Sequence, residues 1–171
     1  DSRTVAFFAD GKLKKMQTSA STPLVLCDAG GGRGGTWSSD GSTIVFAAAG
    51  VGPLMKVSSA GGSPSQASSL DRDYSESNHR FPHFLPDGRR FLYLATGAKG
   101  SGNPFEPNGL YVGSLDSPER KLLVAGGSIG KYAEGQLLFL RGSTLMAQPF
   151  DAGRLEFKGD AVPVAENVLV G

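Results

Sequence analysis

His79 and His83 are the only histidines in the chain. They stand around Arg80-Phe81-Pro82, with Asp71, Asp73 and Glu76 just upstream. Two imidazoles beside carboxylates are the raw material of a divalent-cation site. Pro82 excludes a helix through the pair, whereas on a strand residues i and i+4 share a face. The acidic run Asp71-Arg72-Asp73-Tyr74-Ser75-Glu76 lacks the Gly and the terminal Glu of a calcium loop. Serine is abundant, but no Gly-x-Ser-x-Gly elbow occurs, and Gly100-Ser101-Gly102 has the wrong spacing. A glycosidase needs two carboxylates at a fixed separation in space, which sequence spacing does not specify. Gly30-Gly31-Gly32-Arg33-Gly34-Gly35 would cradle a phosphate only with a following helix and a Lys-Ser/Thr, and Thr36-Trp37 opens another strand instead. The expectation is no catalytic residue, no metal and no cofactor, so the chemistry to look for is binding.

The elements that must position these residues come from a repeat. An aromatic, an acid, a Gly or Ser and an alternating apolar run recur at Trp37–Phe46, Phe84–Tyr93 and, more weakly, Tyr132–Phe139; a beheaded copy opens the chain at Asp1–Phe7. The acids fall at 1, 40, 87 and 134. Spacings of 39, 47 and 47 residues between strand-like segments are the signature of a β-propeller with four strands per blade. Inner strands are expected around 35–38, 81–85 and 130–133. Second strands are expected at 5–8, 43–47, 91–95 and 137–140. Third strands follow at 13–17, 54–58, 110–114 and 145–150, and outer strands at 23–27, 65–70, 121–124 and 163–168. Helical periodicity is absent, and Gly, Ser and Pro clusters end each apolar run after a few residues. The fold class read from this is all-β: a propeller segment of about four four-stranded antiparallel blades, near 1–28, 29–71, 72–125 and 126–171, the first lacking its innermost strand. It reads as part of a larger ring, with a homo-oligomer through unpaired blade faces as a further expectation. The repeat aromatics are expected to pack between neighbouring blades.

Composition narrows the partners. The 171 residues carry 25 Gly and 10 Pro with no three-residue period, which fits many tight turns between short elements. A net charge of +1 points to no nucleic acid and no anionic membrane surface. No apolar run approaches the roughly 18–20 residues of a membrane span, and no signal peptide is visible. Cys27 is alone, inside the apolar run Leu24–Cys27, and reads as a buried structural thiol.

Strand connections alternate between the two ends of a blade. The turns at Asp40-Gly41 and Asp87-Gly88 therefore share one face, and the longer links between blades share the other. That second face receives Arg33, the segment 71–80, the segment 126–131 and the longest loop, 96–108, with Lys99, Asn103, Phe105 and Glu106. Arg33 and Arg80 each precede their blade's acid by seven residues, so they should line one ring as a positively biased funnel. The candidate ligand-binding residues are Arg33, His79, Arg80, Lys99, Phe105 and Lys131. The partner they suit is a protein, a peptide or a small anionic ligand.

Trp37–Phe46 and Phe84–Tyr93 resemble the Trp-Ser-Pro-Asp-Gly repeat of TolB-type, WD-repeat-like propellers; Ser39 stands where Pro is usual, and Ala133-Glu134-Gly135 departs further. Ala6–Lys15, Phe84–Gly88, Leu110–Asp116 and Leu138–Gly142 are similar to the propeller region that follows the kinase domain in acidobacterial receptor-like serine/threonine kinases. The resemblance implies a bacterial, extracytoplasmic sensing module joined to a kinase, although no kinase motif occurs in this chain. Two alternatives stand beside it: a periplasmic TolB-like interaction scaffold, and, from another class, a propeller-based hydrolase or the gating propeller of a serine peptidase.

Overall fold

A computed structural model describes residues 3–97, 109–126 and 129–168. These form sixteen strands in four antiparallel meanders. The first sheet holds β1 (Thr4–Ala9), β2 (Lys12–Gln17) and β3 (Leu24–Asp28). The second holds β4 (Gly35–Trp37), β5 (Thr43–Ala47), β6 (Leu54–Ser58) and β7 (Ser65–Gln66). The third holds β8 (Glu76–Phe84), β9 (Arg90–Gly97), β10 (Gly109–Ser114) and β11 (Lys121–Ala125). The fourth holds β12 (Gly130–Ala133), β13 (Gln136–Arg141) and β14 (Thr144–Asp151), with both β15 (Glu156–Phe157) and β16 (Val162–Ala165) paired to β14.

The core explains why the sequence takes this form. Side chains alternate across a strand, and β5 and β9, each with a sheet on either side, are apolar on both faces. Ile44 and Phe46 of β5 face the first sheet and join Leu13, Leu26 and Cys27; Val45 and Ala47 face the third and join Phe91, Tyr93 and Ala95. Leu92 of β9 turns the other way, to meet Leu137, Phe139 and Phe150 of the fourth sheet. Three cores therefore lie between four successive sheets, and the repeat aromatics fill them: Phe46, Phe91, Tyr93 and Phe139 are fully buried. Cys27 is free and buried, and that burial pushes its thiol up from its ordinary value.

The inner strands carry a second type of fastening. Thr36 and His83 occupy the same register position, opposite Val45 and Leu92. Thr36 Oγ1 accepts from the Phe84 N–H at 3.0 Å, and His83 Nε2 donates to the Tyr132 carbonyl at 3.1 Å. Each bond lands on the repeat aromatic of the next sheet.

The Gly30–Gly35 segment is a link between sheets, with no helix after it. The N–H groups of Gly31 and Arg33 bond the carbonyls of Ala48 and Ala47. A Cβ at Gly32 would run into the Phe8 ring, and Gly34, at φ 94°, lies against the Phe81 backbone. Close approach and a left-handed backbone account for the glycines here.

Candidate functional site

Arg33 and Arg80 meet at the loop-rich end of the inner strands. The Arg33 N–H bonds the Ala47 carbonyl, and Arg80 pairs in register with Leu94, the matching residue of the next sheet. The Phe81 N–H donates to the Arg33 carbonyl at 2.9 Å, which holds the two segments side by side. The Arg33 side chain is exposed and has no carboxylate partner among the described residues. Arg80 is half-buried: its Nη2 donates to the Gly50 carbonyl at 2.9 Å, and its Nε is buried without a hydrogen-bond partner. By contrast Arg89, Arg90 and Arg120 are each paired with a carboxylate. Lys131 is exposed on β12, beside His83. Lys99 and Phe105 lie outside the described residues.

His79 is elsewhere. It is 1 % exposed and offers nothing to a ligand at that face. The expectation that His79 and His83 share a strand face fails on a β-bulge. Register shifts between Arg80 and His83, and Phe81 takes a φ of 52°. The extra residue turns the pair to opposite sides of the sheet. His79 then faces β6 and the Ala67–Ser68 segment, while His83 faces the fourth sheet.

Around His79 runs a chain of polar groups that sequence spacing did not reveal. Ser68 Oγ lies 2.7 Å from His79 Nδ1, and His79 Nε2 lies 3.1 Å from Glu76 Oε2. Glu76 also accepts from Arg120 Nη1 at 2.6 and 2.8 Å and from the Asp71 N–H at 2.7 Å. Arg120 Nη2 reaches Asp71 at 3.1 Å, and its guanidinium stacks 4.6 Å over the Tyr111 ring. Burial pushes the Glu76 carboxyl up, but the hydrogen bonds from His79, Asp71 and Arg120 outweigh it and hold the group below the usual carboxylate range. Burial also lifts Tyr93, whose ring lies 4.7 Å from that of His79, to about 12. Arg120 loses hydration, yet Glu76 more than compensates and keeps its charge firmly in place.

These bonds assign the protons. A carboxylate only accepts, so His79 Nε2 carries a hydrogen; in the neutral ring Nδ1 is then bare and accepts from the Ser68 hydroxyl. Ser68 Oγ in turn accepts the Leu54 N–H at 2.9 Å. Ser68 sits on the wall of a cleft of 260 Å³ between the second and third sheets, which Lys56, Gln66, Ser69, Asp116, Glu119 and Arg120 also line.

Three solved structures share the arrangement of sheets. A chain of a nidogen/laminin complex matches with a TM-score of 0.66 at 10 % identity, over 93 % of this chain and 59 % of that one. TolB from Acinetobacter baumannii matches at 0.59 and 18 % identity, over 86 % and 36 %. Pyrococcus horikoshii acylaminoacyl peptidase matches at 0.55 and 14 %, over 96 % and 30 %. The chain is an arc of about four β-propeller blades. It spans well under two thirds of each of these proteins. At such identities the likeness is one of fold. No known family model matches the sequence, and no curated protein does.

Proposed function

We propose that this propeller arc is a recognition module that binds a peptide, a protein or a small anionic ligand at its loop-rich face. The observation that carries this reading is the Arg33–Arg80 pair: two cations on segments joined by a backbone bond, with no carboxylate partner among the described residues. Most partly buried cations in this fold are neutralised, so an unneutralised pair is suited to charge supplied from outside. Lys131 extends the same polarity to the fourth blade, and Lys99 and Phe105 belong to the proposed face by sequence. The similar fold of a chain in a nidogen/laminin complex supports a role in protein recognition.

The finer reading follows the sequence resemblance: a sensing part of a bacterial receptor-like kinase, outside the cytoplasm, with blades near 1–28, 29–71, 72–125 and 126–171. A periplasmic TolB-like scaffold is the second reading, favoured by the likeness to TolB over most of the chain. Self-association through the outer blade faces belongs to the same proposal; Val5 and Val25, exposed on the first sheet, support it.

The test is a titration of the chain with short peptides ending in two or more acidic residues and with citrate, followed by amide chemical shifts. Shifts are expected at 31–34 and 79–81. Arg33→Ala, an exposed substitution, should weaken binding at least about ten-fold, the loss of one charge-assisted hydrogen-bond set. Arg33→Ala with Arg80→Ala should abolish it. Unchanged affinity in the double variant, with the fold intact, overturns the reading.

A further inference from the structure

The bonding around His79 reaches beyond binding. We propose that Ser68 is a reactive hydroxyl, an acyl-acceptor site in the cleft between the second and third blades, which takes its acyl group from an activated ester.

Four observations combine. Ser68 Oγ stands 2.7 Å from a bare imidazole nitrogen, within the reach a general base needs. In the neutral ring that nitrogen is bare, because Glu76 fixes the hydrogen on the other side. The ring cannot swing: it is fully buried and packed at a tilt against Tyr93, and Glu76 is itself clamped by Arg120 and the Asp71 N–H. The serine is nevertheless not sealed in, because it is half-buried on the wall of an open cleft. A nucleophile beside a base, and a base oriented by a third group, is the arrangement that activates a hydroxyl.

The step balances without an outside reagent beyond the ester. Ser68 Oγ attacks the carbonyl carbon, and the Oγ–C bond forms as the hydroxyl proton passes to His79 Nδ1. The bond from carbon to the leaving oxygen then breaks, and that oxygen departs with the proton held on His79. The imidazolium formed between is stabilised by Glu76, and the Leu54 N–H fixes the position of Oγ. Lys56 lines the same cleft and supplies a cation there.

The probe is 4-nitrophenyl acetate, applied to the whole folded chain and quenched in acid. Trypsin releases residues 57–72 with six serines, so fragment masses must locate the acetyl group. Lysine acetylation is separated by hydroxylamine, which cleaves an ester and leaves an amide. A hydroxylamine-labile acetyl on Ser68, formed at least about ten-fold faster than on any other serine, is the expected result. It should vanish in Ser68→Ala, persist in Ser69→Ala and vanish in guanidinium, where the relay is gone. Acetyl found only on lysines or on other serines overturns the proposal, as does equal labelling of Ser68 in the unfolded chain. Should Ser68→Ala fail to fold, the location in the native chain and the unfolded control still decide. Arg33→Ala should acetylate normally, so failure here and failure at the loop-rich face are read separately.

Discussion

At the scale of single residues, the two histidines divide the work by which way the bulge turns them. His83 is half-buried and donates from Nε2 to the Tyr132 carbonyl, so it fastens the third blade to the fourth. Burial lowers its basicity; the Tyr132 carbonyl works the other way, and nearby Lys131 lowers it further. The sign of the consequence follows from linkage. The unfolded histidine takes a proton near its ordinary value of 6.5, and the folded one only at lower pH. Between those values the unfolded state binds more protons, so stability is fully present above 6.5 and falls as pH drops through the folded value. His83→Gln keeps an amide donor for the Tyr132 carbonyl without the titration. Urea midpoints at pH 7.5 and pH 5 should therefore differ less in His83→Gln than in the native chain. Equal pH dependence in the two would show that His83 is not the group responsible. The buried relay was not legible in the sequence, because Ser68, His79 and Arg120 belong to two blades and no spacing rule joins them.

Strands were the legible element. The second and third strands of every blade fall within a residue or two of where the apolar alternation places them, because each turns apolar side chains into a core. Outer strands have one partner and little burial. The second blade's is accordingly only Ser65–Gln66, and β15 carries no sequence signal at all. The inner strand β8 begins at Glu76, five residues ahead of expectation, since its polar start is held by the Gly52 backbone and the Glu76–Arg120 pair. Turns separate the copies further. In the second and third blades the Asp-Gly pair sits among the five residues between strands, 38–42 and 85–89. There Asp40 accepts from Ser42 and Asp87 from Arg89 and Arg90. The Ser38 and Ser42 bonds hold Asp40 down to about 2. In the fourth copy only Glu134-Gly135 separates the strands, a two-residue turn with both φ positive, at 47° and 81°. That geometry favours Asn-Gly. Glu134→Asn should raise stability by a few tenths of a kcal/mol, and Gly135→Ala should lower it by about 1–2 kcal/mol. Thermal unfolding of both variants checks the pair, and a neutral Gly135→Ala would contradict the turn.

Over the whole molecule, cohesion is serial. The three cores share no residue, and each joins one sheet only to the next, so the arc resembles a repeat array held by nearest-neighbour contacts. Polar bonds follow the same order: Thr36 ties the second blade to the third, and His83 ties the third to the fourth. Damage should therefore stay local. Leu137 is fully buried in the last core, and Leu137→Ala removes side-chain volume there at a cost of about 2–5 kcal/mol. In a single cooperative core that loss would lower the protection of every slowly exchanging amide alike. In a serial array it should speed exchange in β12, β13 and β14 first, in β9 and β10 less, and leave β5 and β6 near their native rates. Leu13→Ala, in the first core, should produce the mirror pattern: β1, β2 and β3 open while β13 and β14 keep their protection. Uniform loss in both variants would mean that the blades unfold as one unit. The serial picture also bears on recognition. The Arg33–Arg80 pair and the Ser68 cleft both rest on the junction of the second and third blades, the one core that neither substitution touches. Ligand shifts and Ser68 acetylation should survive both substitutions.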